Sequence, residues 1–369
     1  MHSNTSLVPN QAIHPGLHLK EALLQKGIKQ NEIAAETGIQ ASQLNEILKG
    51  KRSITPDFAI LLGAVLNMDP EFWNNLQAQY NLDIAKIEKN VQEKVEAINN
   101  WKLIKPLIPV SYFRKRQVLS GELKEDVPTI LKVLGFHSPI ELQKELSSKS
   151  LGGVHFKKSS KLLEYTSYVN SWIRYVKFLS TNVKVEEFDF SSQELLLKEL
   201  KKLFLKQNVL ENLHKLMSKY GIKLVICEKP DHVPLDGAAF WYESSPILAL
   251  TLRHHRYDNL IFTVYHEVAH IFLHLKNNKE ISFVDSLEDS KMDISQTEEE
   301  ANDFARNSMI SKTDWKEFTF GKSNFTDVDI TSFAAEQQVP PPSVWGRLCF
   351  EGRVKYSTPS IFQRQNQIP

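Results

Sequence analysis

The chain is predicted to be mainly α-helical with one small β-sheet. It would be laid out as an N-terminal domain of five short helices (1–84), a helical connector (85–220) and a C-terminal α+β domain (221–369). Three observations predict this. Apolar residues recur at helical spacing from 14 to 84, punctuated at short intervals by Gly and Pro; the same spacing continues to 220; and at Gly221 the period shifts from 3.6 toward 2 for three short runs, ahead of a long apolar helix. The length of 369 residues suits two or three domains of about 100 to 200 residues.

Composition narrows the class. With 41% hydrophobic, 10% aromatic and 24% charged residues, the chain is neither disordered as a whole nor collagenous nor a disulfide-dense scaffold. A net charge of +1 supplies no global field toward nucleic acid or anionic membrane. Cys227 and Cys349 are the only cysteines and form no C-x-x-C pair, so buried thiols are expected and not a thiolate zinc cage. Met1 to Asn10 has neither a basic nor an apolar leader region, and no apolar run approaches ~18 residues; a cytoplasmic protein without membrane contact is expected.

The first helix carries Leu17-x-Leu19-x3-Leu23-Leu24 and closes at Gly27. The second, Gln30 to Thr37, buries Ile33 and Ala34 and stops at Gly38. The third, Gln40 to Lys49, buries Leu44, Ile47 and Leu48 and stops at Gly50. Two short helices meeting across Gly38 and Ile39 form a helix-turn-helix layout. The fourth starts at Thr55-Pro56-Asp57, a cap followed by proline at the first helical position, and runs through Phe58, Ala59, Leu61, Leu62 and Val65. The fifth follows Pro70 with Phe72, Trp73 and Leu76.

His14-Pro15-Gly16, Gln30-Asn31-Glu32-Ile33-Ala34, Leu44-Asn45-Glu46-Ile47-Leu48-Lys49-Gly50-Lys51-Arg52, Ile54-Thr55 and Pro70-Glu71-Phe72-Trp73 resemble the XRE-type helix-turn-helix of HigA antitoxins, over about a fifth of the chain. The resemblance implies operator DNA as a partner. It places the third helix in the major groove with Gln40, Ser42, Gln43 and Asn45 near base edges, where Gln and Asn can pair bidentately with adenine, and Lys49, Lys51 and Arg52 on phosphates. From 14 to 84 there are six Lys or Arg against eight Asp or Glu, so the cationic footprint is local to the loop after the third helix.

Asp83 to Asn100 sets Ile84, Ile87, Val91, Val95 and Ile98 at helical spacing among Lys and Glu, which reads as an amphipathic connecting helix ended by Pro106 and Pro109. Helices are expected around Val127 to Leu134, Leu162 to Leu179 and Gln193 to Tyr220. Strands are expected at Ile222–Cys227, Gly237–Tyr242 and Pro246–Leu252, in an antiparallel or mixed sheet, leading into a helix from about Asp258 to Leu275.

That last helix carries His266-Glu267-Val268-Ala269-His270. Four helical steps return a side chain to within roughly 40° of its starting direction, so both imidazoles share a face and can chelate one ion. Glu267, one step round, is aimed to take a proton from an attacking water and hand it to a leaving amine. Chance would produce the motif on the order of 0.03 times in a chain of this composition. A third ligand is needed. Downstream, Glu298 shares an apolar helix face with Ala301, Phe304, Ala305 and Met309, while Glu299 and Glu300 turn outward; Asn302 stands beside Glu298, placed to orient a ligand histidine.

His266-Glu267-x2-His270 with Glu298-x2-Ala301-Asn302-x-Phe304-Ala305, preceded by Gly237-Ala238-Ala239 and Phe262-Thr263, resembles the ImmA/IrrE family of gluzincin metallopeptidases over roughly 222–350. Val339-Pro-Pro-Pro-Ser-Val-Trp-Gly-Arg347-Leu348 fits that family's closing helix. The resemblance implies a zincin-like fold and one zinc per chain held by His266, His270 and Glu298, with Glu267 as catalytic base. The segment Arg253-His254-His255-Arg256-Tyr257 departs from the family in its basic, histidine-rich character; His254, His255 and Tyr257 are the candidates to hold an oxyanion. Strand Gly237–Tyr242 could pair with an extended substrate at its edge.

Together the resemblances imply a homodimeric regulator that binds an operator and cleaves a regulatory protein, either a repressor or a toxin-antitoxin partner. The alternative is an antitoxin-like repressor whose second domain senses a signal or binds a toxin without turnover. A further reading has the helix-turn-helix dock protein substrates.

Overall fold

The computed structural model describes residues 10–147, 150–151, 154–155, 160–231, 233–277, 279, 282–284, 296–362 and 367–368. The chain is mainly helical with a small sheet, and its contacts divide it into two compact units, 1–101 and 102–369.

In the first unit, α1 (Pro15–Lys26) begins where the His14 ring nitrogen Nδ1 accepts a hydrogen bond from the Gly16 amide at 3.0 Å and ends at Gly27, whose φ of 70° is left-handed. Next, α2 (Gln30–Thr37) is capped by Glu32, which accepts from the Lys29 amide at 2.9 Å; it stops at Gly38, φ 69°, and α3 (Ala41–Leu48) follows. Proline opens both α4 (Pro56–Leu66) and α5 (Pro70–Ile87), behind the caps Thr55 and Asp69. Leu19, Leu23, Ile33, Leu44, Ile47, Phe58, Leu62 and Trp73 close one core. The helical spacing assigns these inward, but Leu17, Leu24, Leu61 and Phe72, read on the same spacing, are exposed.

The expected connecting helix is two helices. The chain turns at Glu88 and resumes as α6 (Lys89–Ile104). Nothing in the composition marks that turn, because the apolar spacing runs through it. The stripe does not bury either: Ile84, Ile87, Val95 and Ile98 are all more than a third exposed. The division between the two units lies inside α6, so the boundary expected at 84/85 instead falls within α5.

The second unit holds α7 (Val110–Lys115), α8 (Leu123–Leu134), α9 (Pro139–Ser147), the two-residue antiparallel pair β1 (Ser150–Leu151) and β2 (Val154–His155), and α10 (Ser160–Ser180). The helix expected over Gln193–Tyr220 is split into α11 (Gln193–Leu203) and α12 (Val209–Lys219) by Asn208, which adopts φ 55°. A short polar residue that tolerates left-handed backbone can break a helix without Gly or Pro.

A four-stranded mixed sheet follows: β3 (Lys223–Ile226), β4 (Gly237–Tyr242), β5 (Ser245–Leu250) and β6 (Ser282–Val284), in the order β3-β5-β4-β6. β3 is parallel to β5, while β4 is antiparallel to both β5 and β6. β4 is therefore an inner strand, and its free side pairs Ala238 with Val284 and Phe240 with Ser282. The expected edge for strand addition is not there, because a fourth strand too short to read from alternation occupies it.

The remaining helices are α13 (Tyr257–Ala269), α14 (Gln296–Met309), α15 (Lys312–Thr319), α16 (Asp327–Glu336) and α17 (Pro341–Phe350). α13 packs against β4, β5, α14 and α17. Leu200, Leu213 and Met217 of α11 and α12 join Leu248, Val264, Val268, Ala305 and Leu348 in one core. Residues 193–219 thus belong to the same packed body as the C-terminal region and are no separate connector. Among the described residues, no helix is long and apolar enough to cross a membrane.

Candidate functional site

Two places carry chemistry. In the first unit, α2, the Gly38 turn and α3 have the helix-turn-helix layout. Leu44, Ile47 and Leu48 anchor α3 in the core, which leaves Gln40, Ser42 and Asn45 exposed on its outer face, with Gln43 half-buried. Lys49, Lys51 and Arg52 are exposed just beyond; Arg52 lies 3.5 Å from Glu46, a surface pair worth little. The third helix is fixed closely against the first. An added Cβ on Gly16 would lie 1.8 Å from the Ile47 carbonyl oxygen, so only glycine permits this approach of α1 to α3.

In the second unit, α13 carries His266 and Glu267 in its last turn, and His270 opens a single π-helical turn over His270–His274, in which Leu275 donates to the His270 carbonyl at 2.9 Å. Such turns widen the helix locally and recur at functional sites. His266 and His270 are each 1% exposed and Glu267 is fully buried. The two Nε2 atoms face each other at 3.0 Å, and Glu298, from α14, places one carboxylate oxygen 3.2 Å from His266 Nε2 and the other 3.5 Å from His270 Nε2.

Ligand atoms around a tetrahedral zinc, with bonds of about 2.0–2.1 Å, stand roughly 3.3 Å apart. The three groups match that spacing and could hold one metal ion. Protonation agrees: burial pushes the His270 imidazole down to about 4, leaving it neutral near pH 7. For Glu298, burial acts upward, but its contacts with His266 and His270 outweigh it and bring the carboxyl down to about 2. Neutral imidazoles and a carboxylate are the ligand forms.

Glu267 lies against β4. A Cβ on Gly237 would meet its Oε1 at 2.5 Å and the Thr263 methyl at 2.8 Å, so the glycine makes room for the carboxylate. On the outer side, His270 Nδ1 is 2.9 Å from His274 Nδ1, and His274 Nε2 is 3.2 Å from Glu300. His274 and Glu300 are missing from the sequence-based site; the His270–His274 spacing was the available signal, and the π-turn that uses it is invisible in periodicity. Glu299 and Glu300 do face outward.

The other candidates lie apart. Asn302 is half-buried on α14. Tyr257 is 5% exposed and its hydroxyl donates to the Phe204 carbonyl, which commits it to the core and not to an oxyanion. His254 faces the buried carboxylate of Asp236 at 3.8 Å, and His255 is exposed in a left-handed turn at φ 48°. Burial lowers the His254 imidazole and raises the Asp236 carboxyl. Cys227 and Cys349 are buried free thiols.

Comparison with known proteins bears on the first unit. Residues 19–73 match the family model described as helix-turn-helix. Over 86 residues the chain is 38% identical to Virulence-associated protein A' of Dichelobacter nodosus, covering 23% of this chain and 73% of that protein. Over 77 residues it is 35% identical to the Uncharacterized HTH-type transcriptional regulator YddM of Escherichia coli (strain K12), covering 21% and 80%. A solved addiction module antidote protein of a HigA family from Coxiella burnetii is 36% identical, covering 23% of this chain and 92% of that one, with a TM-score of 0.22. With its glycine turn, its anchored third helix, the family match and the likeness to Virulence-associated protein A', the chain belongs through its N-terminal unit to the helix-turn-helix family.

Proposed function

We propose that this protein is a DNA-binding transcriptional regulator of the antitoxin kind whose second unit is a zinc-dependent endopeptidase acting on a regulatory protein, a repressor or a toxin-antitoxin partner. The regulator reading is supported by the helix-turn-helix match and by relatives whose names describe a transcriptional regulator and an addiction module antidote. On operator DNA, Gln40, Ser42, Gln43 and Asn45 read base edges while Lys49, Lys51 and Arg52 neutralise phosphates, and a homodimer spans two half-sites.

The convergence of His266, His270 and Glu298 beside Glu267 carries the peptidase reading. Zinc, when bound, supplies a Lewis acid that polarises the scissile carbonyl. The chain's own groups do the rest. The two imidazoles and the Glu298 carboxylate would hold the ion, Glu267 would take the proton of the attacking water and return it to the leaving amine, and His274 with Glu300 fixes the His270 ring.

One observation favours a second reading, an antitoxin-like repressor whose second unit senses a signal or binds a toxin without turnover. The Tyr257 hydroxyl, a candidate oxyanion donor, is spent on the Phe204 carbonyl. Zinc per chain in the wild type beside Glu298→Ala tests the site: about one ion in the former and loss in the latter is expected, and none in either after metal-replete preparation removes the peptidase reading. Glu267→Gln in an operator reporter then separates the two, since lost regulation means proteolysis and unchanged regulation means binding.

A further inference from the structure

We propose that a cavity between α13, α14 and α17 binds a small organic acid, a free molecule with a compact apolar body and one carboxylate. The cavity is about 200 Å³. Its walls are apolar where Phe262, Met309, Phe350 and Tyr356 face it, and cationic where Arg256, Arg306 and Arg347 do. Among its lining side chains three guanidiniums stand against a single carboxylate, Asp258, which Arg256 already binds through two hydrogen bonds of 2.9 and 3.0 Å. The positive excess therefore falls on Arg306 and Arg347.

Arg347 is built in, and Arg306 stands at the rim, its side chain 28% exposed. Arg347 is 11% exposed and lies 4.1 Å from the centre of the Trp315 ring; it donates to Glu351 at 3.1 Å and toward the Arg306 carbonyl at 3.5 Å. Arg306 is held by Asp303 at 3.2 Å over the Phe350 ring. Glu351 and Asp303 do not line the cavity; from the residues that do, Arg347 reaches only the Arg306 carbonyl, at a long 3.5 Å, which leaves both guanidiniums donors to spare. Ser343, on the same face of α17 one turn before Arg347, is 7% exposed, and its hydroxyl has no hydrogen-bond partner among the described residues. A carboxylate satisfies two guanidiniums and a hydroxyl at once, and in a partly dehydrated site such charge-assisted bonds are the strong ones. The apolar walls select an organic anion over phosphate. The size selects a small molecule, since it falls below the ~300 Å³ at which drug-sized sites begin.

The occupant would also lie beside the other site. Phe262 forms the wall and stands 5.9 Å from the His266 ring, one helical turn on.

The test is calorimetric titration of phenylacetate into the full-length protein, with phenylacetamide as an uncharged control of nearly the same shape. The protein is chelator-treated so that no metal competes for the carboxylate. Saturable binding with Kd on the order of 1 mM or tighter is expected, about tenfold weaker for the amide and about tenfold weaker again in Arg306→Gln and Ser343→Ala. Arg306→Gln leaves the Arg256–Asp258 and Arg347–Glu351 pairs in place, and an unchanged circular dichroism spectrum verifies its fold. Equal affinity for acid and amide, unchanged affinity in both variants, binding that appears only with metal present, no binding at about 10 mM, or binding of an acidic peptide in place of phenylacetate would each overturn the proposal.

Discussion

Gly16→Ala sets two opposing effects against each other at one position. Gly16 lies in the first turn of α1 with ordinary helical backbone, where alanine is favoured over glycine by about 1 kcal/mol. Against this, the new Cβ would lie 1.8 Å from the Ile47 carbonyl oxygen and 2.7 Å from its carbon. Bringing the first distance to the 3.0 Å that real contacts observe requires α1 and α3 to part by about 1.2 Å. Overpacking of this kind costs about 1–3 kcal/mol, and disturbance of the His14 cap, whose Nδ1 would be 3.0 Å from the new methyl, adds about 1 kcal/mol. The net expectation is a loss of about 2 kcal/mol, or roughly 8–16 °C in the unfolding temperature of the 101-residue unit. Calorimetry of the full chain, with hydrogen exchange to assign the transition to α1–α3, measures it. A variant melting at or above the wild-type temperature would mean that helix propensity wins and that the close approach constrains nothing.

Other substitutions and conditions have defined outcomes. Chelator-treated protein should lose stability as pH falls from about 6.5 to about 4: the His270 pKa is depressed in the folded state, so the unfolded chain takes up the proton first, at a cost of about 3 kcal/mol. Urea titrations at pH 7 and 4.5 should show this slope, and His270→Gln should flatten it. His274→Ala is expected to weaken zinc affinity by about 10–100-fold while still loading at saturation, read by competition with a chelating dye. Gly237→Ala should displace Glu267 without removing a ligand, so zinc content stays at the wild-type level while any peptide hydrolysis falls. Lys51→Ala is expected to reduce the salt slope of operator binding by about 1 in a gel-shift series, whereas Asn45→Ala should relax sequence preference with little change of slope.

Much of the first unit is legible because each helix there carries its own stop. Gly27 and Gly38 adopt the left-handed backbone that their residue type favours, and Thr55, Pro56, Asp69 and Pro70 cap and start the helices they precede. The meeting of His266, His270 and Glu298 is equally readable, since the two histidines depend on helix period and the glutamate on the apolar face formed with Ala301 and Ala305. What escapes is non-local or rests on residues without a strong signal. β6 has three residues and pairs with partners 42 to 46 positions earlier; Asn208 and Glu88 break helices without Gly or Pro; and Tyr257 enters the core through a carbonyl 53 residues earlier. The exposed stripe of Ile84, Val95 and Ile98 has the periodicity of a buried face, and periodicity alone does not say whether anything covers it.

The topology of the sheet bears on the order in which the molecule assembles. Within the four-stranded sheet, β4 and β5 are joined by a tight reversal, at Glu243 with φ 54°, so their hairpin can close on the microsecond scale from local contacts. β3 must reach β5 in parallel across that hairpin, and β6 arrives only after α13 has crossed, so both edges wait on longer loops. Glu298 comes later still along the chain than β6. During synthesis the helix-turn-helix emerges before the second unit, with its core complete within its own residues, well before Glu298, the last of the three converging groups, leaves the ribosome. A nascent chain can therefore expose a finished α3 while its second site does not yet exist, so any DNA recognition would begin before any chemistry at that site.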